Sequence, residues 1–442
     1  MTASITIRNA MVVLPGSIQG VDVSVIDGRI SAIGCEIPEA GEVIDAEGLF
    51  LLPGIIDPQV HFREPGAEHK EDLHSGSCAA AAGGVTSFLD MPNNSPPVIT
   101  CERMTGKKLL AAEKSVVNYG FFMGATPENL EELNKVENVC GIKIFMGTST
   151  GDLLVDNPDV LEKIFADGTR LIAVHAEDES ILQANKELLK DIADVRLHSR
   201  IRDESAALKA TKLAVRLSLK YRRRLHILHL TTEDECDFLR RLPREHRIST
   251  EVCPQHFTLT VPECYEQLGT LAQMNPPIRT KRHADALWQA LKDGIIDCIA
   301  TDHAPHTLVE KEQPYGKAPS GMPGVETSLA LMLDRVNRNS CTLREVVCWM
   351  SESPAKLYQM QGKGSIEVGQ DADLVLVDMT LKKTVTNGQL HTRVNWSPYH
   401  GMELQGWPVR TIVNGQTVFL NGEVDESVRG REICFASWTD KS

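Results

Sequence analysis

The chain has 442 residues, of which 42% are hydrophobic and 24% are charged, a composition that is ordinary for a globular protein with a large core. Its net charge of −14 excludes a general basic field, so we expect neither a nucleic acid nor a membrane as a partner, and no apolar run approaches the length of a transmembrane helix. The start, MTASITIRNA, lacks the plan of a secretory signal, and the eleven cysteines never show the C-x-x-C spacing, which together predict a cytoplasmic protein with reduced thiols.

Residues 1–54 read as short strands separated by turn residues. The strand candidates are 5–7, 11–13, 21–25, 30–33 and 43–44. Asp27-Gly28, between two of them, is a strong hairpin signal. This segment therefore predicts part of a β domain.

Residues 55–364 have a different pattern, in which strand-like apolar runs alternate with longer helical stretches. One predicted helix, 205–219, is amphipathic, and another begins near Pro127 with Thr126 as its N-cap. The strand runs end at or near His61, Asp90, Met123, Lys143, His175, His229, Cys253 and Asp302. Eight such units predict an α/β fold, a (β/α)8 TIM barrel over 55–364.

Residues 365–442 again have the pattern of residues 1–54, short strands separated by turn residues. Strand candidates lie at 373–378, 411–413 and 417–419, and Asn414-Gly415 joins the last two. Because two β-rich ends flank a different middle, we predict a small β-sandwich domain formed by both termini, residues 1–54 and 365–442.

Ionisable side chains stand where the predicted barrel strands end, which is where such barrels collect their catalytic groups. A single histidine there is more often structural than a ligand. The set is larger, however: His61, Lys143, His175, His229 and Asp302. Imidazole nitrogens and carboxylate oxygens are zinc ligands, so the set favours a metal site over ordinary strand ends.

The first strand end carries two further candidates. Gln59 and His61 lie two residues apart, so their side chains point the same way on an extended backbone. Arg63 continues that face and offers a planar fork for a carboxylate. His226 lies three residues before His229 and early in its strand, so we interpret it as structural.

Lys143 and Asp302 each have two interpretations. A buried lysine is costly, so its pKa should fall, and a neutral amine can add carbon dioxide to form a carbamate that bridges two metal ions. The alternative for Lys143 is a salt-bridged structural residue. Asp302 could bind metal with one oxygen and accept a proton with the other, or it could merely cap a helix.

Several strings closely resemble the dihydroorotase family of the cyclic amidohydrolase superfamily. They are DPQVHFREPG, FLDMPNNSPP, GIKIFMG, AVHAED, HILHLTT, CPQHF, MNPPIR and ATDHAPH, and the similarity covers nearly the whole chain. The resemblance implies a zinc-dependent barrel enzyme that reversibly closes N-carbamoyl-L-aspartate to L-dihydroorotate in pyrimidine synthesis. It also implies a homo-oligomer, a dimer or a tetramer.

The resemblance assigns roles to individual residues. It implies that His61 and Asp302 belong to one metal position, that His175 and His229 belong to the other, and that Lys143 is the carbamylated bridge. Asp302 is also the implied catalytic acid and base. The implied substrate-binding residues are Arg63, Asn93 and His306 for the carboxylate, and Asn275 for the ring amide.

One position departs from the family pattern. The family has His-x-His at the first strand, and here the first histidine is Gln59, a weaker zinc ligand. One or two zinc ions per chain are therefore expected. Two other functions stay open: another cyclic amidohydrolase, such as a hydantoinase or allantoinase, and a catalytically silent barrel that binds a partner enzyme. Residues 307–324, rich in proline and glycine, form either a lid or a surface excursion.

Overall fold

The first sheets of the fold come from the N-terminal segment. In this computed structural model, which describes residues 4–149, 153–190, 192–243 and 247–436, the first seven strands precede the barrel. They are β1 (Ile5–Arg8), β2 (Met11–Leu14), β3 (Ser17–Gly20), β4 (Asp22–Ile26), β5 (Arg29–Gly34), β6 (Glu42–Asp45) and β7 (Phe50–Pro53). Asp27 and Gly28 both have positive φ angles, 55° and 77°, as a tight hairpin requires.

Eight parallel strands follow and lie side by side in chain order. They are β8 (Ile55–Val60), β9 (Val85–Asp90), β10 (Asn118–Gly124), β11 (Gly141–Phe145), β12 (Ile172–His175), β13 (Leu225–Ile227), β14 (Ile248–Val252) and β15 (Cys298–Ile299). Nearly every strand residue is buried, because helices cover the outside and side chains fill the inside. The backbone N–H of His61 donates to the His303 carbonyl at 2.8 Å, which joins the first strand to the last. The predicted TIM barrel is confirmed.

The helices cover the barrel and supply its connections. They are α1 (Leu73–Ala82), α2 (Cys101–Lys114), α3 (Leu130–Lys135), α4 (Pro158–Ala166), α5 (Glu179–Leu188), α6 (His198–Ile201), α7 (Glu204–Tyr221), α8 (Glu233–Arg240), α9 (Pro254–Thr258), α10 (Glu263–Leu268), α11 (Lys281–Lys292), α12 (Leu308–Lys311), α13 (Ser328–Asn337), α14 (Leu343–Val347) and α15 (Ser353–Leu357). Short 3-10 segments cover Val195–Leu197 and Gly269–Ala272, and a π segment covers Cys348–Glu352. None of the described helices is long and apolar enough to cross a membrane.

One predicted helix start is wrong. Helix α3 begins at Leu130 with Asn129 as its N-cap, not at Pro127 after Thr126. The Asn129 side chain accepts the backbone N–H of Thr126 at 2.8 Å and donates to the carbonyl oxygens of Ile99 and Gly124. These bonds hold residues 126–129 in a turn, so the helix starts one turn later.

The chain ends by completing the β domain. Strands β16 (Leu374–Thr384), β17 (Glu403–Val413), β18 (Gln416–Leu420) and β19 (Glu423–Val424) join β7, β2 and β3 in a seven-stranded sheet. A four-stranded sheet, β5-β4-β1-β6, contributes to the same apolar core as that sheet. A sandwich built from both termini is therefore present, as predicted. The proposed boundaries at 54/55 and 364/365 stay predictions. The backbone N–H of Gly54 donates to the Asp373 carbonyl, a bond between the two segments of the predicted β domain.

Candidate metal and substrate site

A narrow cavity lies where the carboxyl ends of the barrel strands meet. All but one of the predicted site residues line it, and His306 lies beside it within 3.1 Å of Arg63. The lining comprises Gln59, His61, Arg63, Asn93, Lys143, Phe145, Ser149, His175, His229, Asn275, Asp302, Ala304, Ser320 and Gly321. Gln59 and Asp302, which are 243 positions apart in the sequence, thus converge on one space.

Strand geometry explains how these side chains reach the cavity. His61 follows β8 directly, His175 is the last residue of β12, and Asp302 lies just beyond β15. Lys143 differs from the prediction, because β11 continues two residues past it to Phe145. Its side chain therefore enters the site from within the strand, and the length of a lysine side chain lets its amine lie in the cavity.

Lys143 is the most unusual ionisable group in the cavity. Its Nζ is buried and has no hydrogen-bond partner among the described residues, although it lies 4.5 Å from the centre of the Phe145 ring. Burial lowers its pKa to about 7, partly opposed by the negative charges of Asp302 and Glu251. A large share of the amine is therefore neutral at neutral pH, which is the form that can react with carbon dioxide.

His175 and His229 form an adjacent pair of imidazoles. His175 Nδ1 lies 3.1 Å from His229 Nε2, and burial lowers the pKa of both rings. Nε2 of His175 lies 2.8 Å from the Glu177 carboxylate, so it carries the proton and Nδ1 presents its lone pair. This orientation is the one that metal-ligating histidines take when a carboxylate holds their other nitrogen.

Glu177 is in turn fixed by a cation. Arg202 Nε donates to both Glu177 oxygens, at 3.0 and 3.1 Å, and its Nη2 donates to the Thr148 carbonyl at 2.8 Å. Burial works to raise the pKa of Glu177, but Arg202 and His175 together hold that pKa well below its usual range. Glu177 therefore stays ionised beside His175.

The third group of donors surrounds Asp302. Its Oδ1 lies 3.1 Å from Gln59 Nε2 and 3.0 Å from His61 Nε2, while His61 Nδ1 lies 2.7 Å from Asn93 Oδ1. As a metal ligand through Nε2, with its proton on Nδ1 and donated to Asn93, the ring would turn the Nε2 lone pair towards a carboxylate oxygen. A cation bound by both atoms would remove that repulsion. Gln59 Oε1 is buried and has no partner among the described residues.

The donor set fits a metal centre, on the chemistry of its atoms. Neutral imidazoles, a carboxylate and an unpartnered amine surround one cavity, and zinc prefers such nitrogen and oxygen ligands. The donors fall into two groups, one around His61 and Asp302 and one around His175 and His229. The group around His61 would bind metal less tightly, because it has the Gln59 amide where a second imidazole would be a stronger ligand. His175 and His229 form the stronger group.

Three site residues have left-handed backbone conformations. Arg63, His229 and Asp302 have φ angles of 61°, 37° and 47°, a region that favours glycine, and all three are buried. Such conformations cost of the order of 1–3 kcal/mol each and persist where the surrounding structure enforces them. Their clustering in one cavity points to function rather than stability.

Arg63 provides the positive side of the cavity. It is buried, its Nε donates to the Pro305 carbonyl at 3.1 Å, and no carboxylate among the described residues forms an ion pair with it. Burial lowers its pKa to about 10, which still leaves the guanidinium charged at neutral pH. A buried charge without a partner is costly, so the cavity is suited to an anion.

Asn275 also belongs to the lining and is held in place by His198. His198 Nε2 lies 3.0 Å from Asn275 Oδ1 and 2.9 Å from the Met274 carbonyl, so Nε2 carries the proton. Burial, followed by the charge of Arg202, lowers the pKa of His198 to about 4. The Asn275 amide is thereby oriented by a neutral ring.

A second set of donor atoms lies on three adjacent barrel strands. His226, Glu251 and Cys298 place one ligand atom each within 4.8 Å of one another, and all three are fully buried. His226 also bonds Ser249 Oγ at 2.9 Å and Glu251 Oε2 at 3.0 Å. Both ring nitrogens are therefore occupied, which agrees with the structural interpretation of His226.

Sequence reasoning missed Glu177 and Arg202. Glu177 had a signal, because it lies two residues after His175 and so shares its direction on an extended backbone. Arg202 had none, because its link to Glu177 depends on how the segment between α5 and α7 folds over the site.

Comparison with known proteins decides the family. The family model described as the amidohydrolase family matches residues 50–418. The chain belongs to the amidohydrolase family. Members of this family are generally metal-dependent, and the present amidohydrolase is a hydrolase acting on cyclic amides.

Relatives of this amidohydrolase carry different activities. It is 36% identical to a dihydroorotase of Methanosarcina acetivorans over 95% of this chain and 93% of the relative. It is also 33% identical to an allantoinase of Streptomyces avermitilis, over 96% and 97% of the two chains. The solved L-hydantoinase (dihydropyrimidinase) from Arthrobacter aurescens superposes with a TM-score of 0.92 at 31% identity, covering 96% and 97%. Similar identities to these relatives leave the substrate to be argued from the site.

Proposed function

We propose that the chain is a dihydroorotase, which uses zinc to interconvert N-carbamoyl-L-aspartate and L-dihydroorotate. The proposal depends on one observation above the others. Arg63 is a buried, charged guanidinium in the cavity lining with no ion-pair partner among the described residues. L-Dihydroorotate carries a carboxylate that does not react, whereas the rings of hydantoin and allantoin carry none. A bidentate arginine–carboxylate pair would supply the missing partner.

Further residues support the binding of that substrate. Asn93 is held against His61, and His306 lies beside Arg63, so the groups proposed to hold the carboxylate are neighbours. Asn275 lines the same cavity and is the proposed contact for the ring amide. The carboxylate and amide contacts would thus orient the ring across the space between them.

The metal would be held by the two groups of donors already described. His175, His229 and a carbamate on Lys143 are the proposed ligands of the firmer position, and His61 and Asp302 those of the weaker one. When bound, zinc activates a water molecule as the nucleophile and polarises the carbonyl group under attack. Burial of Lys143 keeps much of its amine neutral, which favours carbamate formation.

Asp302 is the proposed proton carrier. Its Oδ1 already accepts from Gln59, and among the described residues Oδ2 accepts no hydrogen bond. In hydrolysis the carboxylate takes a proton from the attacking water and returns it to the leaving ring nitrogen. In synthesis it removes a proton from the carbamoyl nitrogen.

The test combines metal analysis with a substrate panel. Protein is supplied with zinc and bicarbonate, desalted, analysed for zinc, and assayed with L-dihydroorotate, hydantoin and allantoin. We expect bound zinc and turnover of L-dihydroorotate. Turnover of hydantoin or allantoin alone would refute the proposal in favour of another cyclic amidohydrolase. Metal-free, inert protein would favour the silent barrel. The dimer or tetramer stays a prediction for size-exclusion chromatography with light scattering.

A matched pair of variants tests the carboxylate contact. Arg63→Met should raise the KM for L-dihydroorotate by about two orders of magnitude, because a hydrogen bond to a charged group contributes up to about 3 kcal/mol. Arg216→Met removes the same charge from the exposed face of α7 and should leave KM unchanged. Equal kinetics of the two variants would contradict a role for Arg63.

A further inference from the structure

Lys70 lies beside the proposed carboxylate site and contacts its histidine. Its Nζ is 3.1 Å from His306 Nδ1 and 3.0 Å from Glu310 Oε1, and its side chain is 17% exposed. An ammonium group has three donors and no acceptor. Its contact with Nδ1 is therefore a hydrogen bond only if Nδ1 presents a lone pair.

This contact determines the tautomer of the ring. When Nδ1 is an acceptor, the single proton of the neutral imidazole is on Nε2. Nε2 faces the Ser320 carbonyl at 3.1 Å, which accepts that proton's hydrogen bond. Burial, then the charges of Arg63 and Lys70, hold the pKa of His306 far below its ordinary value, so the ring is neutral.

With the proton on Nε2, the contact between His306 and Arg63 is not a hydrogen bond. Nη2 of Arg63 lies 3.1 Å from His306 Nε2, but a protonated Nε2 cannot accept its hydrogen bond. The Nε2–H bonds the Ser320 carbonyl, so the ring offers no lone pair to the guanidinium, and the Arg63 Nη2–H donors are left for an acceptor in the cavity beside Ser320 and Gly321. A carboxylate satisfies these donors better than a neutral carbonyl, because hydrogen bonds to ionised acceptors are stronger.

We propose that Lys70 is a positioning residue for substrate recognition: by donating to His306 Nδ1 it fixes the Nε2–H tautomer, which makes the wall formed by Arg63 and His306 selective for a carboxylate. The inference rests on the proposed function, because it concerns the same anionic substrate. Lys70 itself does not line the cavity, so it acts through His306.

Lys70 is held in place for this task. Glu310, its ion-pair partner, closes the capping box of α12 by accepting hydrogen bonds from the backbone N–H and Oγ1 of Thr307, both at 2.9 Å. The backbone of His306 is fixed separately, since its carbonyl accepts from Trp396 Nε1 at 2.8 Å. Because Glu310 holds the Lys70 ammonium group and Trp396 holds the His306 backbone, a movement of either residue would break hydrogen bonds.

The competing explanation is that Lys70 only forms an ion pair with Glu310, which would stabilise the segment between β8 and α1 against α12. Three variants separate the two explanations. Lys70→Met removes the donor, Lys70→Arg keeps a cationic donor, and Lys317→Met removes a charge from an exposed position between α12 and α13. A structural role would lower the melting temperature without moving the tautomer. A positioning role would move the tautomer and the KM.

Two readouts are measured on the zinc-loaded enzyme. Nitrogen-15 NMR of histidine-labelled protein, with the His306 signals assigned by their loss in His306→Gln, reports the tautomer directly. We expect a protonated Nε2 in the parent and in Lys70→Arg, and a tautomer mixture in Lys70→Met. For L-dihydroorotate we expect Lys70→Met to raise KM by about tenfold or more with a much smaller change in kcat. Lys70→Arg and Lys317→Met should stay within about threefold of the parent.

Two results would overturn the inference: an unchanged His306 tautomer in Lys70→Met, or a KM change that Lys317→Met reproduces. If the parent protein does not turn over L-dihydroorotate, the proposed function fails, and the NMR comparison still decides whether Lys70 sets the tautomer.

Discussion

Replacing Gln59 by histidine should tighten the weaker metal position. Gln59 is buried, points its Nε2 at Asp302 Oδ1 from 3.1 Å, and leaves Oε1 without a partner among the described residues. Its side chain and that of His61 contact the same carboxylate oxygen. An imidazole at this position would thus face the place where His61 and Asp302 meet, as the His-x-His pattern requires.

The magnitude follows from what is gained and lost. Loss of a partner that merely orients a ligand costs about 10–100-fold in metal affinity, and a direct imidazole ligand should contribute at least as much. Such a change corresponds to about 1.4–2.7 kcal/mol. The hydrogen bond from Gln59 to Asp302 is lost, but metal binding takes over the charge of that carboxylate. We therefore expect Gln59→His to tighten the second zinc by about tenfold or more.

The assay counts zinc per chain as a function of free zinc set by metal buffers. The parent should fill one position firmly and the second only at higher free zinc, and Gln59→His should bring the two steps together. Gln255→His is the matched control, since Gln255 is also buried but bonds the Thr301 carbonyl at 2.8 Å and does not line the cavity. A second step that stays in place in folded Gln59→His protein would refute the assignment of residue 59 to the metal site.

Three further predictions concern the same site. Asp302→Asn should lower kcat by about 10²–10⁴-fold, the usual contribution of acid–base catalysis, while zinc analysis still finds the ion at His175 and His229; retained turnover would exclude Asp302 as the proton carrier. Glu177→Gln should weaken zinc binding by about 10–100-fold in chelator competition, because the charge that orients His175 is gone, and unchanged affinity would leave Glu177 a purely structural role. The pKa of His198 is lowered to about 4 in the folded protein, so the unfolded chain binds the proton first as the pH falls from about 6.5 to 4. The free energy of unfolding should therefore fall over that range, by of the order of 3 kcal/mol at most, and less in His198→Asn; parallel denaturation curves for the two proteins would contradict this.

The sequence predicts the barrel well, for a physical reason. Strands buried on both faces are continuous apolar runs, and each run stops where polar side chains enter the cavity, so one pattern marks both the sheet and the site. His61, His175 and Asp302 lie within three residues of the strand ends that the structure has. The hairpins at Asp27-Gly28 and Asn414-Gly415 are also predictable from the sequence, because few residue pairs adopt two positive φ angles.

The missed details depend on contacts between distant segments. Strand β3 (Ser17–Gly20) is largely exposed and has no apolar pattern, and only its pairing with β2 makes it a strand. The start of α3 was misplaced because Asn129 bonds to Ile99, thirty residues earlier. The contact of Lys70 with His306 crosses 236 residues. No local rule contains such information.

The eleven cysteines all lie in the described part of the chain, where none is paired in a disulfide. Most are buried, and burial raises the pKa of several, including Cys140 and Cys253. Thiols in that condition are poor nucleophiles and poor metal ligands. Their distribution supports an interior use of cysteine as a small apolar side chain.

The meeting of β8 and β15 has a consequence for how the protein matures. Direct bonds across this seam include those from Thr301 to the Asp57 carboxylate and from the His61 amide to His303. His61 stands on one side of the seam and Asp302 on the other, so half of the proposed centre does not exist until the last strand docks against the first. A ribosome-bound chain that ends before residue 302 would lack the weaker metal position, so an ion could bind there only after the last strand has docked against the first.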